Sequence, residues 1–453
     1  MINSLLTGAK EKFFKTAYFI IMEYGRRVLE KPADDVNFIQ MPSMIEGKDF
    51  IQCVRCEQYS KKCEVYLPSG AYFCPHCIEL GRVTSNGLLY FIPEKQRPLL
   101  SETCRWQGTL TSAQSEISEK IVRVINHHSK LLVYAVTGAG KTEMLFRGIE
   151  AALSQGKRVG ITSPRIDVCV ELYPRICAVF PDIKVLLLHG ESGDYFDSTL
   201  VICTTHQLLR FYQAFDVLIV DEVDAFPFVN EKVLHAGVKN ALKDKAALIY
   251  LTATPTNDLI RDVQKKRLEM VTLPARFHKS KLVVPKFYWV NKWYQLIENG
   301  KIPKRLLKVM TEFFADGFPF LIFCPVIEWM KTLTKLLKKV FLEKSFTAVS
   351  ALDKERVEKV QKMRDGHYDF LLTTNILERG VTFPKISVIV LGANHRIFTK
   401  AALIQISGRV GRSRKRVDGK LYFLHDGKSQ AMLAARDEIK RMNCLARRRG
   451  LIR

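Results

Sequence analysis

The residues best placed to do chemistry lie in the string Ala135-Val136-Thr137-Gly138-Ala139-Gly140-Lys141-Thr142-Glu143, between an apolar run at 131–136 and a stretch with helical spacing. This reads as strand, phosphate-binding loop and helix. The loop from Thr137 through Gly138, Ala139 and Gly140 lets backbone N–H groups close around phosphate oxygens, and the helix N-terminus adds favourable partial charge for an anion. Lys141 would reach the β- and γ-phosphates of ATP, and Thr142 would ligate Mg²⁺. Ala135 stands where the strict pattern has glycine. Further on, an apolar run at 215–220 ends in Asp221-Glu222-Val223-Asp224, which puts carboxylates at the C-terminal end of a strand, where α/β sheets bind ligands. Asp221 would hold Mg²⁺ and Glu222 would orient or deprotonate an attacking water. An acidic cluster alone is usually a solvated turn; its pairing with the glycine loop is what makes ATP hydrolysis the expected chemistry. Late in the chain, Gln405-Ile406-Ser407-Gly408-Arg409-Val410-Gly411-Arg412 completes the catalytic set with Gln405, Arg409 and Arg412. On a helix, arginines three apart share one face, able to stabilise charge on a γ-phosphate held by the first half.

A second constellation is Cys53-Val54-Arg55-Cys56 with Cys74-Pro75-His76-Cys77. Two CxxC turns at that separation fit a tetrahedral zinc site with Cys53, Cys56, Cys74 and Cys77 as ligands, closed and therefore structural. Cys63 and His76 are near enough to substitute for one ligand. Cys169, Cys177, Cys203, Cys324 and Cys444 are scattered, most of them in apolar surroundings, as small core residues are.

The formal net charge of +24 calls for a polyanionic partner, and with an NTPase core that partner is nucleic acid rather than an anionic membrane. No run approaches the roughly 18–20 apolar residues of a membrane span, and no secretory cleavage pattern is present. A cytoplasmic location is expected, with peripheral attachment at the membrane face through partners left open. Apolar strands at 158–163 and 200–203 lead into Thr162-Ser163-Pro164-Arg165 and Thr204-Thr205. Pro164, Arg165, Thr204 and Thr205 are candidate backbone contacts to nucleic acid, although strand-end hydroxyls also cap helices. Gln114, just ahead of a helix at 116–126, has the donor and acceptor that reading an adenine edge requires.

These groups need elements to hold them. At 453 residues the chain is long enough for two or three domains. Alternating strands and helices from 105 to 272 predict a parallel-sheet α/β domain. A basic passage with Pro274 and Pro285 leads to a second one, with strands at 318–324, 347–349, 370–373, 388–391 and 421–424 and an amphipathic helix at 331–344. The expected divisions are 1–104 for an N-terminal region with the zinc module at about 50–80, 105–275 for the ATP-binding domain, and 286–453 for the second. Residues 9–30 suggest a surface helix packed on the core. The basic tail at 436–453, with Arg447, Arg448 and Arg449, is either a nucleic-acid contact or a solvated helix end.

In this order the strings resemble the motif series of superfamily-two, DEAD/DEAH-like helicases and translocases. Ala139 to Thr142 matches motif I, Thr162 to Arg165 motif Ia, Asp221 to Asp224 motif II, Thr252-Ala253-Thr254 motif III, Thr373-Thr374 with Arg379-Gly380 motif V, and Gln405 to Arg412 motif VI. The resemblance implies two tandem RecA-like domains with ATP between them and a nucleic-acid strand crossing both, touched by Thr373, Thr374 and Arg379. Within the superfamily the chain is most similar to the late-competence ATPases of bacteria. That similarity rests on the cysteine quartet, on Trp106-Gln107-Gly108 with Leu110, Thr111 and Gln114, on Asp221 to Pro227 and on Leu377 to Pro384. It implies an ATP-dependent single-stranded DNA translocase in the uptake of transforming DNA, with a membrane DNA-uptake channel and other competence proteins as partners, and room for a homo-oligomer. A replication-restart or recombination helicase resembling the primosomal protein is the alternative, against which the short N-terminal region and single quartet speak. A zinc-dependent scaffold without turnover is disfavoured by Lys141, Glu222, Arg409 and Arg412. Asp-Glu-Val-Asp in place of Asp-Glu-Ala-Asp, and the context of Gln114, argue against a DEAD-box RNA helicase.

Overall fold

The computed structural model describes residues 23–33 and 35–452. Its centre is a seven-stranded parallel sheet, in edge-to-edge order Glu269–Leu273, Lys130–Ala135, Leu242–Thr252, Phe215–Asp221, Val159–Ser163, Leu200–Thr204 and Leu186–Leu188. The inner strands are continuous apolar runs because helices cover both sheet faces, so alternation would leave polar groups in the core. All C-terminal ends share one edge, which delivers the phosphate loop and the acidic strand end to the same rim.

A second sheet of six parallel strands runs Lys286–Trp289, Leu421–His425, Ser387–Leu391, Phe320–Phe323, Phe370–Thr373 and Phe346–Val349. The fold class is as expected: two RecA-like parallel-sheet halves preceded by a small cysteine-bearing module. In these two sheets three strands escaped the sequence reading, Leu186–Leu188, Glu269–Leu273 and Lys286–Trp289, all of them at sheet edges. The amphipathic helix runs Ile327–Val340, burying Met330, Leu333 and Leu337 beneath its lysines.

Ahead of the halves lie two small antiparallel sheets, Arg26–Val28 with Leu88–Ile92 and Ile39–Pro42, and Met44–Glu46 with Phe50–Cys53 and Tyr59–Lys61. This corrects the helix expected at 9–30. Arg26–Val28 is a strand, entered through Gly25 at φ +71°, where a Cβ would lie 2.7 Å from Ala214. Residues 9–22 of that expected helix fall outside the described residues.

One hydrophobic core spans both large sheets. The tail forms the helix Gln430–Arg448, which belongs in sequence to the second half yet packs back on the first. The Leu282 N–H donates to Asn443 Oδ1 at 2.8 Å, Asn443 Nδ2 donates to the Leu282 carbonyl at 2.9 Å, and Arg449 donates to the Thr272 carbonyl at 2.8 Å. Tyr134 hydrogen-bonds Glu438 across the same seam. Arg447 and Arg448 are exposed on the last turn.

Candidate active site and zinc module

The phosphate loop is built by backbone conformation before side chains enter. Gly138 and Gly140 sit at φ +77° and +76°, and Gly140 caps the helix Lys141–Leu153. A Cβ on Gly140 would lie 2.4 Å from Gln114 Nε2, so the position needs glycine on both counts. Gln114 in turn closes a capping box at the start of the helix Ser112–Asn126: the Thr111 N–H donates to Gln114 Oε1 at 2.9 Å and the Gln114 N–H donates to Thr111 Oγ1 at 3.4 Å. Its Nε2 donates to the Ala139 carbonyl at 2.8 Å. The amide expected to read an adenine edge lines the cleft and also braces the capping box against the phosphate loop.

Across the loop, Lys141 Nζ lies 4.0 Å from Asp221 Oδ1. Glu222 follows in a left-handed conformation, φ 54°, with its N–H donating to Asp221 Oδ1 at 2.8 Å. Glu222 is half-buried, its Oε2 buried and unpartnered by any hydrogen bond; Arg379 Nη1 stands 3.7 Å away. Burial raises its pKa, with Asp221 and Asp224 adding to the rise and the Arg379 charge opposing it. Asp224 goes the other way: burial would raise it, but Arg379 and the hydroxyls of Thr254 and Thr252 hold it below the usual carboxylate range. Thr252 Oγ1 donates at 2.7 Å, while Arg379 and Thr254 make close contacts with the other carboxylate oxygen.

Arg379 comes from the second half, so motifs II, III and V meet in one buried knot. Such a placement differs from the expected nucleic-acid contact, since Arg379 points at the acidic pair. The structure also buries Pro164, Thr204, Thr205, Thr373 and Thr374 and leaves none of them on an open face. Arg165 precedes the helix Ile166–Val179 and donates to the Ile376 carbonyl of the other half at 2.8 Å.

Motif VI needs a correction. The helix Lys400–Ser407 ends at Gly408, so Arg409 sits in the turn that follows and Arg412 just beyond it, not on one helix face. Gly411, at φ +71°, redirects the chain between them. Arg412 lines the cleft, donating through Nε to the Gly408 carbonyl at 3.1 Å and through Nη1 to Thr382 Oγ1 at 3.3 Å. Arg409 is buried at 2% exposure, with Nε and Nη1 unpartnered. Burial, then the like charge of Arg412, drives its pKa well down. Gly408 approaches the phosphate loop so closely that a Cβ there would fall 2.0 Å from Thr137 Oγ1. Arg276, unremarked in the sequence, bolts this contact by donating to the Gly408 carbonyl at 3.2 Å and to that of Gly411.

Between the halves these groups enclose a cavity of about 520 Å³. Gln405 reaches its wall, as does Trp106 of the lead-in string, and so do Arg175, Phe277 and Arg414, three residues that carried no recognisable spacing signal. The Arg414 guanidinium stands 5.5 Å from the Phe277 ring centroid. The fit to a magnesium nucleotide is good on the chemistry of the donors. A glycine cradle and Lys141 face phosphate, Thr142 and Asp221 offer oxygens to the metal, and the Arg412 guanidinium lines the same cavity.

In the N-terminal module, Cys53 and Cys77 Sγ are 3.9 Å apart, Cys56 and Cys74 3.5 Å apart, and all four sulfurs lie within 4.8 Å of one another. Zinc–sulfur bonds of about 2.3 Å in a tetrahedron require sulfur separations near 3.8 Å, so the quartet fits zinc. Arg55 donates through Nε to Cys77 Sγ at 3.4 Å and through its other nitrogens to the carbonyls of Leu80, Cys77 and Gly81, orienting one ligand. Cys63 and His76 are exposed and outside the cluster.

Comparison with known proteins agrees with this geometry. Residues 107–257 match the family described as type III restriction enzyme, res subunit, and residues 303–414 the helicase conserved C-terminal domain. The chain is 43% identical to competence protein ComFA of Streptococcus pneumoniae, over 89% of this chain and 93% of that protein. It is 42% identical to ComFA of Bacillus subtilis, over 87% and 86%. Among solved structures, Dbp5 of S. cerevisiae bound to RNA and ADP BeF3 superposes with a TM-score of 0.54 at 16% identity, over 74% of this chain and 92% of that one, a likeness of fold alone. With its two helicase halves and near full-length identity to these relatives, the chain belongs to the ComFA family of superfamily-two helicases, enzymes that hydrolyse ATP.

Proposed function

We propose that this protein is an ATP-driven single-stranded DNA translocase that serves the uptake of transforming DNA. In this reading Thr137 to Thr142 hold the nucleotide phosphates, Thr142 and Asp221 hold Mg²⁺, and Glu222 positions the attacking water. Gln405, Arg409 and Arg412 complete the site from the second half. Residues 105–275 and 286–453 then move as the two arms of the motor, gripping a strand through its phosphates with little base preference. The zinc module is structural, and a membrane DNA channel and other competence proteins are the partners, met from the cytoplasmic side.

The observation that carries this reading is the identity to two competence proteins over almost their whole length. The net charge of +24 supports a polyanionic track. No helix among the described residues is long and apolar enough to cross a membrane.

The test is steady-state ATPase activity with no nucleic acid, single-stranded DNA, duplex DNA, forked DNA and RNA, at two salt concentrations. Stimulation by single-stranded DNA, weakened by salt and lost in Glu222→Gln, is expected. Stimulation mainly by forks points to a restart helicase, and stimulation mainly by RNA to an RNA motor; either overturns the proposal.

A further inference from the structure

A second cavity, of about 400 Å³, lies where the N-terminal sheet, the cysteine module and the first motor half meet. Its wall carries four arginines, Arg26, Arg27, Arg55 and Arg210, and two carboxylates, Glu23 and Glu30. Arg26 and Arg27 are 5% and 2% exposed, and each leaves its Nε buried and unpartnered. Their remaining contacts are otherwise spent: Arg26 pairs with Glu23 and stands over the Tyr195 ring, while Arg27 donates to the carbonyls of Val54 and Arg55 at 3.1 and 2.9 Å. Arg210 is different. It is half-buried, its Nε is unpartnered, and among the described residues it has no hydrogen bond or ion pair. Burial, then the like charges of Arg26 and Arg55, hold its pKa below the ordinary value, with Glu23 opposing.

Gathering like charges away from water is costly unless an anion neutralises them, and a guanidinium offers the planar fork that phosphate oxygens match. We propose that this cavity is a phosphate-binding site, separate from the ATP cleft, in which Arg210 makes the direct contact and Arg26 and Arg27 supply buried positive charge behind it. Arg210 closes the 3-10 turn Thr205–Arg210, which directly follows the strand end at Thr204. A phosphate held there would be felt by the motor sheet on one side and by the cysteine module, through Arg55, on the other. The phosphate could belong to a nucleic-acid backbone or be free in solution, and the experiment separates these.

Full-length Lys141→Ala protein, which removes the phosphate-loop cation, is melted in chloride buffer and in inorganic phosphate at constant ionic strength. A rise in Tm with phosphate is expected, lost when Arg210→Gln is added and partly kept with Arg210→Lys. Arg210 is the residue to change because nothing in the fold depends on it for a partner, whereas Arg26→Gln would strip Glu23. In parallel, the affinity of Arg210→Gln for a single-stranded oligonucleotide is followed against salt. If the site takes a backbone phosphate, the slope of log affinity against log salt becomes shallower by about 0.7. A lost Tm response with an unchanged slope assigns the site to free phosphate, and a shallower slope assigns it to the strand. No difference between the Arg210→Gln proteins and their parents in either arm overturns the proposal.

Discussion

Replacing Gly408 with alanine tests whether the closeness of the two halves is what assembles the catalytic site. Gly408 has φ −65°, so alanine meets no backbone strain there and the effect is purely steric. The added methyl would lie 2.0 Å from Thr137 Oγ1, 2.5 Å from its Cβ and 2.6 Å from its Cγ2. Restoring ordinary non-bonded separation means drawing motif VI back from the phosphate loop by about 1.5 Å. Resisting that withdrawal costs about 1–3 kcal/mol of overpacking, and yielding to it misplaces Arg412 by more than the ~1 Å that typically costs about 100-fold in rate. The expected result is a fall in kcat of about 100-fold with KM for ATP changed by less than about threefold, since Gln114 and the loop glycines are untouched. Thr137→Ala in the same chain should not rescue it, because the Cβ contact remains; Thr137→Gly should bring Gly408→Ala close to the rate of Thr137→Gly alone. Steady-state ATPase kinetics on the four proteins decide the matter. Wild-type turnover by Gly408→Ala would refute the claim that this contact belongs to the working state.

Further expectations concern the buried charges, the zinc quartet and the brace. Arg379→Gln removes the cation that opposes the rise in the Glu222 pKa, so that pKa climbs further and the acid limb of the kcat profile moves to higher pH. The same change leaves Asp224 buried without its cation and lowers stability by about 3 kcal/mol, read by denaturant unfolding. Asp224, whose folded pKa is depressed, contributes its stability above its unfolded pKa and loses it as pH falls through the folded value. The gap between wild type and Arg379→Gln should therefore narrow in acid. Cys56→Ser, or a strong chelator, should abolish stoichiometric zinc and lower the Tm, with proteolysis first in the N-terminal module; an unchanged metal content would sink the zinc assignment. Gln114→Ala should raise KM for ATP by about tenfold and cost about 1 kcal/mol, because it removes the side-chain half of the capping box and the hold on Ala139.

Much of this site was legible because its parts are local. A glycine at positive φ, a lysine at a helix start and a pair of carboxylates at a strand end are each written in a few consecutive residues, and the four cysteines likewise. What depends on distant chain crossing was not. Arg276 carries no motif, and its burial against Gly408 and Gly411 exists only once the halves close. Arg379 looked like a strand contact until the second half brought it to Asp224. The Arg409–Arg412 spacing fitted a helix, but Gly408 and Gly411 end it, and a three-residue interval cannot by itself separate helix from turn. Arg26 fell within the surface helix expected at 9–30, whereas its strand is set by pairing with Leu88–Ile92, far along the chain.

The docking of the last helix across the seam has a mechanical meaning. The second half leaves the first near Leu282 and is tied to it again through Asn443 and Arg449, both close to that same crossing point. If the halves part at the cleft, giving up the contacts of Arg379, Arg276 and Arg165, these ties would still hold the chain together where it crosses, as a pivot does.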